Sequence, residues 1–322
     1  MIKTAIVEGA GFTGGELIRL LLNHPDVDLR CVTSRYHYGE RIDEVHRGLY
    51  GETEMTFDAE VPLENLDMLF LCTESDESRA FIESHVLPER LRVVDLSRAY
   101  RMPREDSEWV YGLPELNRRA TCSARLIANP GNFATSILLG LLPLARNLML
   151  GDDIIVHSII GSTGSAERSQ SMTGFSWRND NINIYKPFVH QHIPEVQCAL
   201  KQLQQSFDSN IVFVPCHGNF TRGIFTTIIV PNRVALPELE RIYEEYYDED
   251  SFTHISHDPI DLKQVVNTNK CLIHLERNDD YLLINTCIDN LLKGASGQAV
   301  HNMNLLFNLE ETVGLQLKST AI

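Results

Sequence analysis

The first 33 residues constrain the fold more than any other stretch of the chain. Lys3-Thr4-Ala5-Ile6-Val7 is a short apolar run of β character, followed by the glycine-rich turn Glu8-Gly9-Ala10-Gly11-Phe12-Thr13-Gly14. From Gly14 onward, apolar residues recur at helical spacing through Leu22, and Leu29 to Thr33 reads as a second strand. Strand, turn, helix and strand together make a βαβ unit. Buried-strand candidates follow at Met68–Cys72, Arg92–Leu96 and Leu126–Ala128. This alternation predicts an α/β fold, a parallel sheet with helices on its faces.

After Gly131 the pattern changes. Apolar β-rich runs at Ile154–Ile160, Ile211–Val214, Phe225–Val230, Cys271–Leu275 and Tyr281–Ile288 lie close together. Helical patterns interrupt them at Pro194–Ser206 and Leu236–Tyr247, and Gly297–Leu309 reads as an amphipathic helix. The expectation is a second, α+β domain on a mostly antiparallel or mixed sheet. A length of 322 residues suits two domains better than one core. The net charge of −16 argues against a nucleic-acid or anionic-membrane surface, because both require clustered Lys and Arg. No apolar run reaches the ~18 residues of a membrane span, and no signal peptide precedes the first strand, so a cytoplasmic protein is expected. The seven cysteines show no CxxC spacing and mostly lie in apolar runs, which predicts buried, reduced thiols and no metal.

Gly9, Gly11 and Gly14 form a GxGxxG pattern between strand and helix. Glycines there let the backbone approach a pyrophosphate, which then sits at the positive end of the helix. Phe12 and Thr13 complete that turn. Its alternative is a tight βα turn with no ligand. At the end of the second strand stand Ser34 and Arg35. NAD-selective folds place an Asp or Glu there for the ribose 2′-hydroxyl, whereas Ser and Arg suit a 2′-phosphate, so NADP (NADPH) is the expected cofactor.

Several longer stretches carry a resemblance. They are Asn129-Pro130-Gly131-Asn132, Asp95-Leu96-Ser97, Tyr111-Gly112-Leu113-Pro114-Glu115-Leu116-Asn117-Arg118, His190-Gln191-His192-Ile193-Pro194-Glu195, and the run from Asp289 to Asn304. In order and spacing the chain resembles the N-acetyl-gamma-glutamyl-phosphate reductases of arginine biosynthesis. The resemblance implies a Rossmann-type nucleotide domain over residues 1–131 with 291–322, and an α+β catalytic and oligomerisation domain over 132–290. It also implies a dimer or tetramer. The implied reaction is NADPH-dependent reduction of an N-acyl-gamma-glutamyl phosphate to the semialdehyde through a cysteine thioester. By the same resemblance, His192 moves protons, Glu195 orients it, and His190 contacts substrate. Gln298 and Asn302 lie near the nicotinamide, and Arg118, Arg168 and Arg222 are placed for an anionic substrate. Arg222 is equally readable as a structural ion pair. A zinc site combining the histidines with Cys216 and His217 is the weaker alternative.

The departures from the family pattern gather where chemistry would occur. Asn132 stands at the family's catalytic-cysteine position, and a carboxamide does not ionise to a nucleophile near neutral pH. Glu8 stands where the family turn has a glycine, and its carboxylate would repel cofactor phosphates unless it rotates away or finds a cation. Asp76, Glu77 and Glu167 add further negative charge. Three readings follow: a reductase of much reduced activity, a non-catalytic paralogue that binds a ligand or a sister subunit, and an NADP-dependent oxidoreductase redirected to a substrate needing no thioester.

Overall fold

The computed structural model of the protein describes residues 1–164 and 178–321. They fall into two compact units, Met1–Gly131 with Ala295–Gln316, and Asn132–Gly294 with Leu317–Ile322.

The first unit is built on six parallel strands, β1 (Ile2–Val7), β2 (Val27–Val32), β3 (Met68–Leu71), β4 (Arg92–Asp95), β5 (Trp109–Tyr111) and β6 (Leu126–Ala128), in the order β2-β1-β3-β4-β6-β5. All four residues of β3 are buried, as expected where helices cover both faces of a parallel sheet. Helices α1 (Phe12–Leu22), α2 (Ile42–Val45), α3 (Ser75–Ser84) and α4 (Pro114–Ser123) connect the strands. The second strand ends earlier than the sequence suggests, and Thr33 instead bridges to Asp58.

The C-terminal helix of this unit, Ser296–Leu306, departs from its amphipathic reading. All of its residues are buried, and it packs against α1, α4 and β4. Several of its polar side chains find partners inside. His24 donates to Asn304 Oδ1 at 3.0 Å, and His301 donates to Glu311 at 2.8 Å.

In the second unit, α5 (Asn132–Arg146) precedes β7 (Ile154–Ile160), β8 (Asn183–Ile184), α6 (His192–Leu203), β9 (Ile211–His217), β10 (Ile224–Pro231), α7 (Leu236–Tyr247), β11 (Thr253–Ser256), β12 (Cys271–Asn278) and β13 (Tyr281–Ile288). The Ser296–Leu306 helix of the first unit is α8. The seven strands form a mixed sheet, β11-β12-β13-β10-β7-β9-β8, in which only β11–β12 and β7–β9 pair in parallel.

Helix α5 lies on β10, β12 and β13 and beside α6, with Phe133 through Ala145 buried. Gly140 permits the approach, since a Cβ there would come within 2.7 Å of Ile228 Cδ1. Under the helix runs a buried chain of hydroxyls. Ser136 Oγ donates to Thr226 Oγ1 at 2.9 Å and meets Thr286 Oγ1 at 2.7 Å, while Ser158 Oγ meets Thr226 Oγ1 at 2.8 Å. Of the cysteines, 31, 216, 271 and 287 are buried, 72 and 198 are half-buried, and Cys122 is exposed, so the expectation of buried thiols holds for only some of them. No helix among the described residues is long and apolar enough to cross a membrane.

Candidate functional site

In the first unit the three glycines of the turn do different work. A Cβ on Gly9 would collide with Val32 Cγ1 at 2.3 Å, and one on Gly14 with the Gly9 carbonyl oxygen at 2.3 Å. These two positions are glycine for internal packing. A Cβ on Gly11 would meet nothing within 4 Å, so the chain's own packing does not require a glycine there. Gly11 is the N-cap of α1, with extended backbone, and the open space beside it would admit a ligand to the Phe12, Thr13 and Gly14 amides at the start of the helix. His46 locks the turn from below, its Nε2–H donating to the Gly9 carbonyl at 2.8 Å. The motif itself gave no hint of this histidine.

Glu8 occupies the left-handed region, with φ of 57°. Its N–H donates to Thr33 Oγ1 at 3.2 Å, and its carboxylate turns to the end of β2. There it accepts the Arg35 N–H at 3.1 Å and lies 3.9 Å from Arg35 Nε. The other side of the guanidinium is held by Glu77 at 2.6 Å. The carboxylate has therefore found a cation, and Arg35 is shared between two acids. Ser34 is only 1% exposed, and its hydroxyl accepts the His37 N–H at 3.3 Å.

On α8, Asn302 donates to the Gly112 carbonyl at 2.9 Å and to Asn129 Oδ1 at 3.1 Å. Its amide nitrogen is thus used to hold two loops of the first unit. Gln298 differs. It is fully buried, yet neither atom of its amide has a partner among the described residues. Leaving a buried amide unsatisfied costs about 1–3 kcal/mol per group, which fits a side chain completed by a bound amide such as a nicotinamide carboxamide. The open face at Gly11 and this orphaned amide together fit a dinucleotide.

In the second unit an aromatic cage surrounds the histidine element. The Phe133 ring meets His190 edge-on at 5.3 Å and His192 at 6.0 Å, and the two imidazoles are 4.8 Å apart. Phe213 and Tyr185 close the cage at 5.3 and 5.7 Å from His190, and Tyr185 stacks on His217 at 3.9 Å. Burial pulls the His190 imidazole down to about 4, with the Lys186 ammonium adding to the effect. His190 is thus neutral at pH 7, and its Nδ1 accepts the His192 N–H at 3.3 Å. His192 and Glu195 stand three residues apart in the first turn of α6, on one side of the helix, and both are buried. Tyr185 and Phe213 are not readable from the sequence as site residues, because they come from distant segments with no motif of their own, and His217 is readable only as a candidate ligand of the alternative zinc site. His217 and Cys216 point to opposite faces of β9. Cys216 meets His157 at 3.3 Å while His217 stacks on Tyr185, so the two cannot share a metal.

Asn132 opens α5 immediately before Phe133, whose ring is part of this cage. Its Oδ1 accepts the Phe133 N–H at 2.7 Å. Ser136, one turn further on, is sealed in the hydroxyl chain beneath the helix. Against Asn132 lies Gly294, where a Cβ would stand 2.9 Å from Asn132 Cβ. The loop carrying Gly294 is anchored at Asp289, which receives Arg222 in a fork at 3.0 and 3.2 Å together with the Asn267 N–H at 2.7 Å. Arg222 therefore makes the structural ion pair that was one of its two readings. Arg118 likewise pairs with Glu311, within the first unit. Arg168 and Glu167 lie outside the described residues.

Two family profiles divide the chain. "Semialdehyde dehydrogenase, NAD binding domain" matches residues 3–124, and "Semialdehyde dehydrogenase, dimerisation domain" matches residues 133–290. Proteins named N-acetyl-gamma-glutamyl-phosphate reductase from Bacteroides thetaiotaomicron and Bacteroides fragilis are 60% and 59% identical over 321 residues, covering 100% of both chains in each comparison. The chain belongs to the N-acetyl-gamma-glutamyl-phosphate reductase family. A further member, from Christiangramia forsetii, is 45% identical over 99% of each chain. Among solved structures, aspartate semialdehyde dehydrogenase II of Vibrio cholerae superposes with a TM-score of 0.74 at 14% identity, covering 96% of this chain and 98% of that one. Aspartate semialdehyde dehydrogenase of Candida albicans, solved with NADP, gives a TM-score of 0.69 at 15% identity, covering 95% of this chain and 98% of that one. These likenesses establish the fold, a Rossmann-type domain joined to a domain with a mixed sheet. In the reductase family framework, Asn132 falls in the short stretch between the two matched profiles.

Proposed function

We propose that this chain keeps the ligand-binding frame of an N-acetyl-gamma-glutamyl-phosphate reductase but lacks its thioester step. The observation that carries this reading is the carboxamide of Asn132 at the start of α5, its oxygen already bonded to the Phe133 N–H. An amide has no lone pair that attacks an acyl phosphate as a thiolate does. Among the described residues of the second unit, Ser136, one turn further along α5, does not replace it, because its hydroxyl is locked among buried hydroxyls.

The nucleotide reading rests on the first unit. Gly9, Gly11 and Gly14, with the amides of Phe12 and Thr13, would cradle the pyrophosphate. Gln298 would meet the nicotinamide carboxamide, with Asn302 holding the surrounding loops. Ser34 and Arg35 favour NADPH in the sequence pattern, and the carboxylates on Arg35 set how strongly. A bound nicotinamide would supply hydride. In the second unit, His190 and His192 would present imidazole nitrogens to an acyl-phosphate or semialdehyde ligand, with Glu195 on the same helical turn. Arg118, Arg168 and Arg222 are the candidate anion contacts, two of them already committed to ion pairs. The open face of the mixed sheet, which includes the exposed Ile155 and Tyr281, supports a second copy of this chain as its cover, consistent with the dimerisation profile.

The test is phosphate-dependent oxidation of N-acyl-glutamate semialdehyde by wild type and Asn132→Cys. The reading expects wild type to be orders of magnitude below a cysteine-bearing relative, and expects the variant to gain activity and an acyl adduct visible by intact mass. Wild-type turnover equal to that of the relative would refute it. So would an acyl adduct trapped on the unaltered chain.

A further inference from the structure

We infer that Glu8 and Glu77 make the adenosine end of the nucleotide site selective for a dinucleotide with a free ribose 2′-hydroxyl, NADH over NADPH. This rests on the reading that the first unit binds a nicotinamide dinucleotide.

A 2′-phosphate at the end of β2 needs donors and net positive charge. Arg35 is the cation that the sequence pattern places there, and its guanidinium is held by Glu77 at 2.6 Å with Glu8 3.9 Å from Nε. Two carboxylates around one guanidinium leave a net negative charge where a phosphate of about −1.5 to −2 would arrive. The Arg35 backbone N–H, another donor for a phosphate, is already taken by Glu8 at 3.1 Å. The Ser34 hydroxyl is buried and accepts the His37 N–H, so it is not presented at the surface. Each feature that recommends NADPH in the sequence is therefore occupied in the fold.

The same geometry suits a diol. Folds selective for NAD bring a carboxylate to the end of the second strand to accept the ribose hydroxyl. Here the acid comes from the end of β1 instead. Its left-handed backbone at φ 57° and the Glu8 N–H to Thr33 bond at 3.2 Å carry it across to β2. A hydroxyl can donate to that carboxylate, whereas a phosphate dianion cannot.

The experiment is a fluorescence titration of the full chain with NADH and with NADPH at one ionic strength, for wild type, Glu8→Gln, Glu77→Gln and the double variant. Wild type is expected to bind NADH about tenfold or more tighter, and each substitution to narrow that ratio about three- to tenfold, chiefly by tightening NADPH. Added salt should narrow it too. Glutamine at position 77 keeps an oxygen for the Glu74 N–H that Glu77 accepts at 3.4 Å, so the start of α3 is preserved. Equal or tighter NADPH binding by wild type overturns the inference and leaves dinucleotide binding standing. A ratio unmoved in the double variant does the same. Absence of binding by either nucleotide overturns the inference together with the reading beneath it. If a variant fails to fold, the wild-type ratio alone still decides.

Discussion

The hydroxyl of Tyr247 donates to the carbonyl of Leu139 at 2.6 Å, across the interface between α7 and α5. That carbonyl is the one deprived of its helical donor by Pro143, four residues on, which has no N–H to give. Beside it Tyr243 donates to the Gly140 carbonyl at 2.5 Å. The proline opens the backbone of a buried helix at Leu139, and Tyr247 of α7 closes it, while Tyr243 of the same helix bonds the adjoining carbonyl.

Tyr247→Phe should therefore lower the free energy of unfolding by about 1–3 kcal/mol, the cost of a buried carbonyl left without a donor. In a Pro143→Ala background the backbone N–H returns, and the same substitution should cost less. Urea titrations of the four proteins measure the coupling. A tyrosine effect of equal size in both backgrounds would mean that the hydroxyl is not serving the proline's orphaned carbonyl.

A second prediction concerns the hydroxyls under α5. Thr226 Oγ1 stands between Ser136 at 2.9 Å and Ser158 at 2.8 Å, all of them fully buried. Thr226→Val preserves shape and removes the shared oxygen, so two buried hydroxyls lose a partner at once. The expected loss is about 2 kcal/mol, with no change in the denaturant slope, because the exposed surface on unfolding is the same. A neutral result would show that Ser136 and Ser158 re-pair with Thr286 or the backbone.

Much of this fold was legible in the sequence, and what was not has physical causes. Strands β1, β3, β4 and β6 are legible because buried parallel strands are short apolar runs, whereas β5 at the sheet edge, half-buried Trp109–Tyr111, has no such signature. Helix α5 went unassigned. It carries Gly140 and Pro143 in its interior, so its helical composition is interrupted twice. The burial of helix α8 is hidden because its His301, Asn302 and Asn304 look like a solvated face until their buried partners are known. Within the site, the carboxylate of Glu8 had two outcomes open to it, and only the fold could show that it turns to Arg35. The cage around His190 is tertiary in origin, assembled from Phe133, Tyr185 and Phe213.

That cage gives stability a pH dependence of defined sign. His190 is held down to about 4 by burial, whereas an unfolded histidine titrates near 6.5, so the unfolded chain binds the extra proton first. Its contribution is present above about 6.5 and is lost as pH falls from there toward 4. His24 and His217 are also lowered by burial and act in the same direction. Asp95 is raised by burial and acts the other way, so the informative quantity is a difference. The gap in urea midpoint between wild type and His190→Gln should shift in favour of the variant on going from pH 7 to pH 5. A constant gap would place the imidazole's titration elsewhere.

The last prediction joins the anchored loop to Asn132. Asp289 is buried, takes the fork of Arg222, and accepts the Leu291 N–H at 2.8 Å, while its carbonyl accepts the Gly294 N–H at 2.9 Å. The loop is thereby rigid where Gly294 meets Asn132. A methyl group at 294 would stand 2.7 Å from the Asn290 carbonyl oxygen and 2.9 Å from Asn132 Cβ. The first contact is with backbone, which cannot swing aside as a side chain would. Gly294→Ala should thus cost about 1–3 kcal/mol in stability by overpacking, although its helix-neighbouring backbone needs no left-handed angle. It should also push residue 132 away from its present position. In the Asn132→Cys background that displacement matters most, because a nucleophile misplaced by even 1 Å loses about a hundredfold in rate. The double variant Asn132→Cys with Gly294→Ala should accordingly form its acyl adduct far more slowly than Asn132→Cys alone, at temperatures where both are folded. Equal rates would mean that the 289–294 loop does not set the position of residue 132.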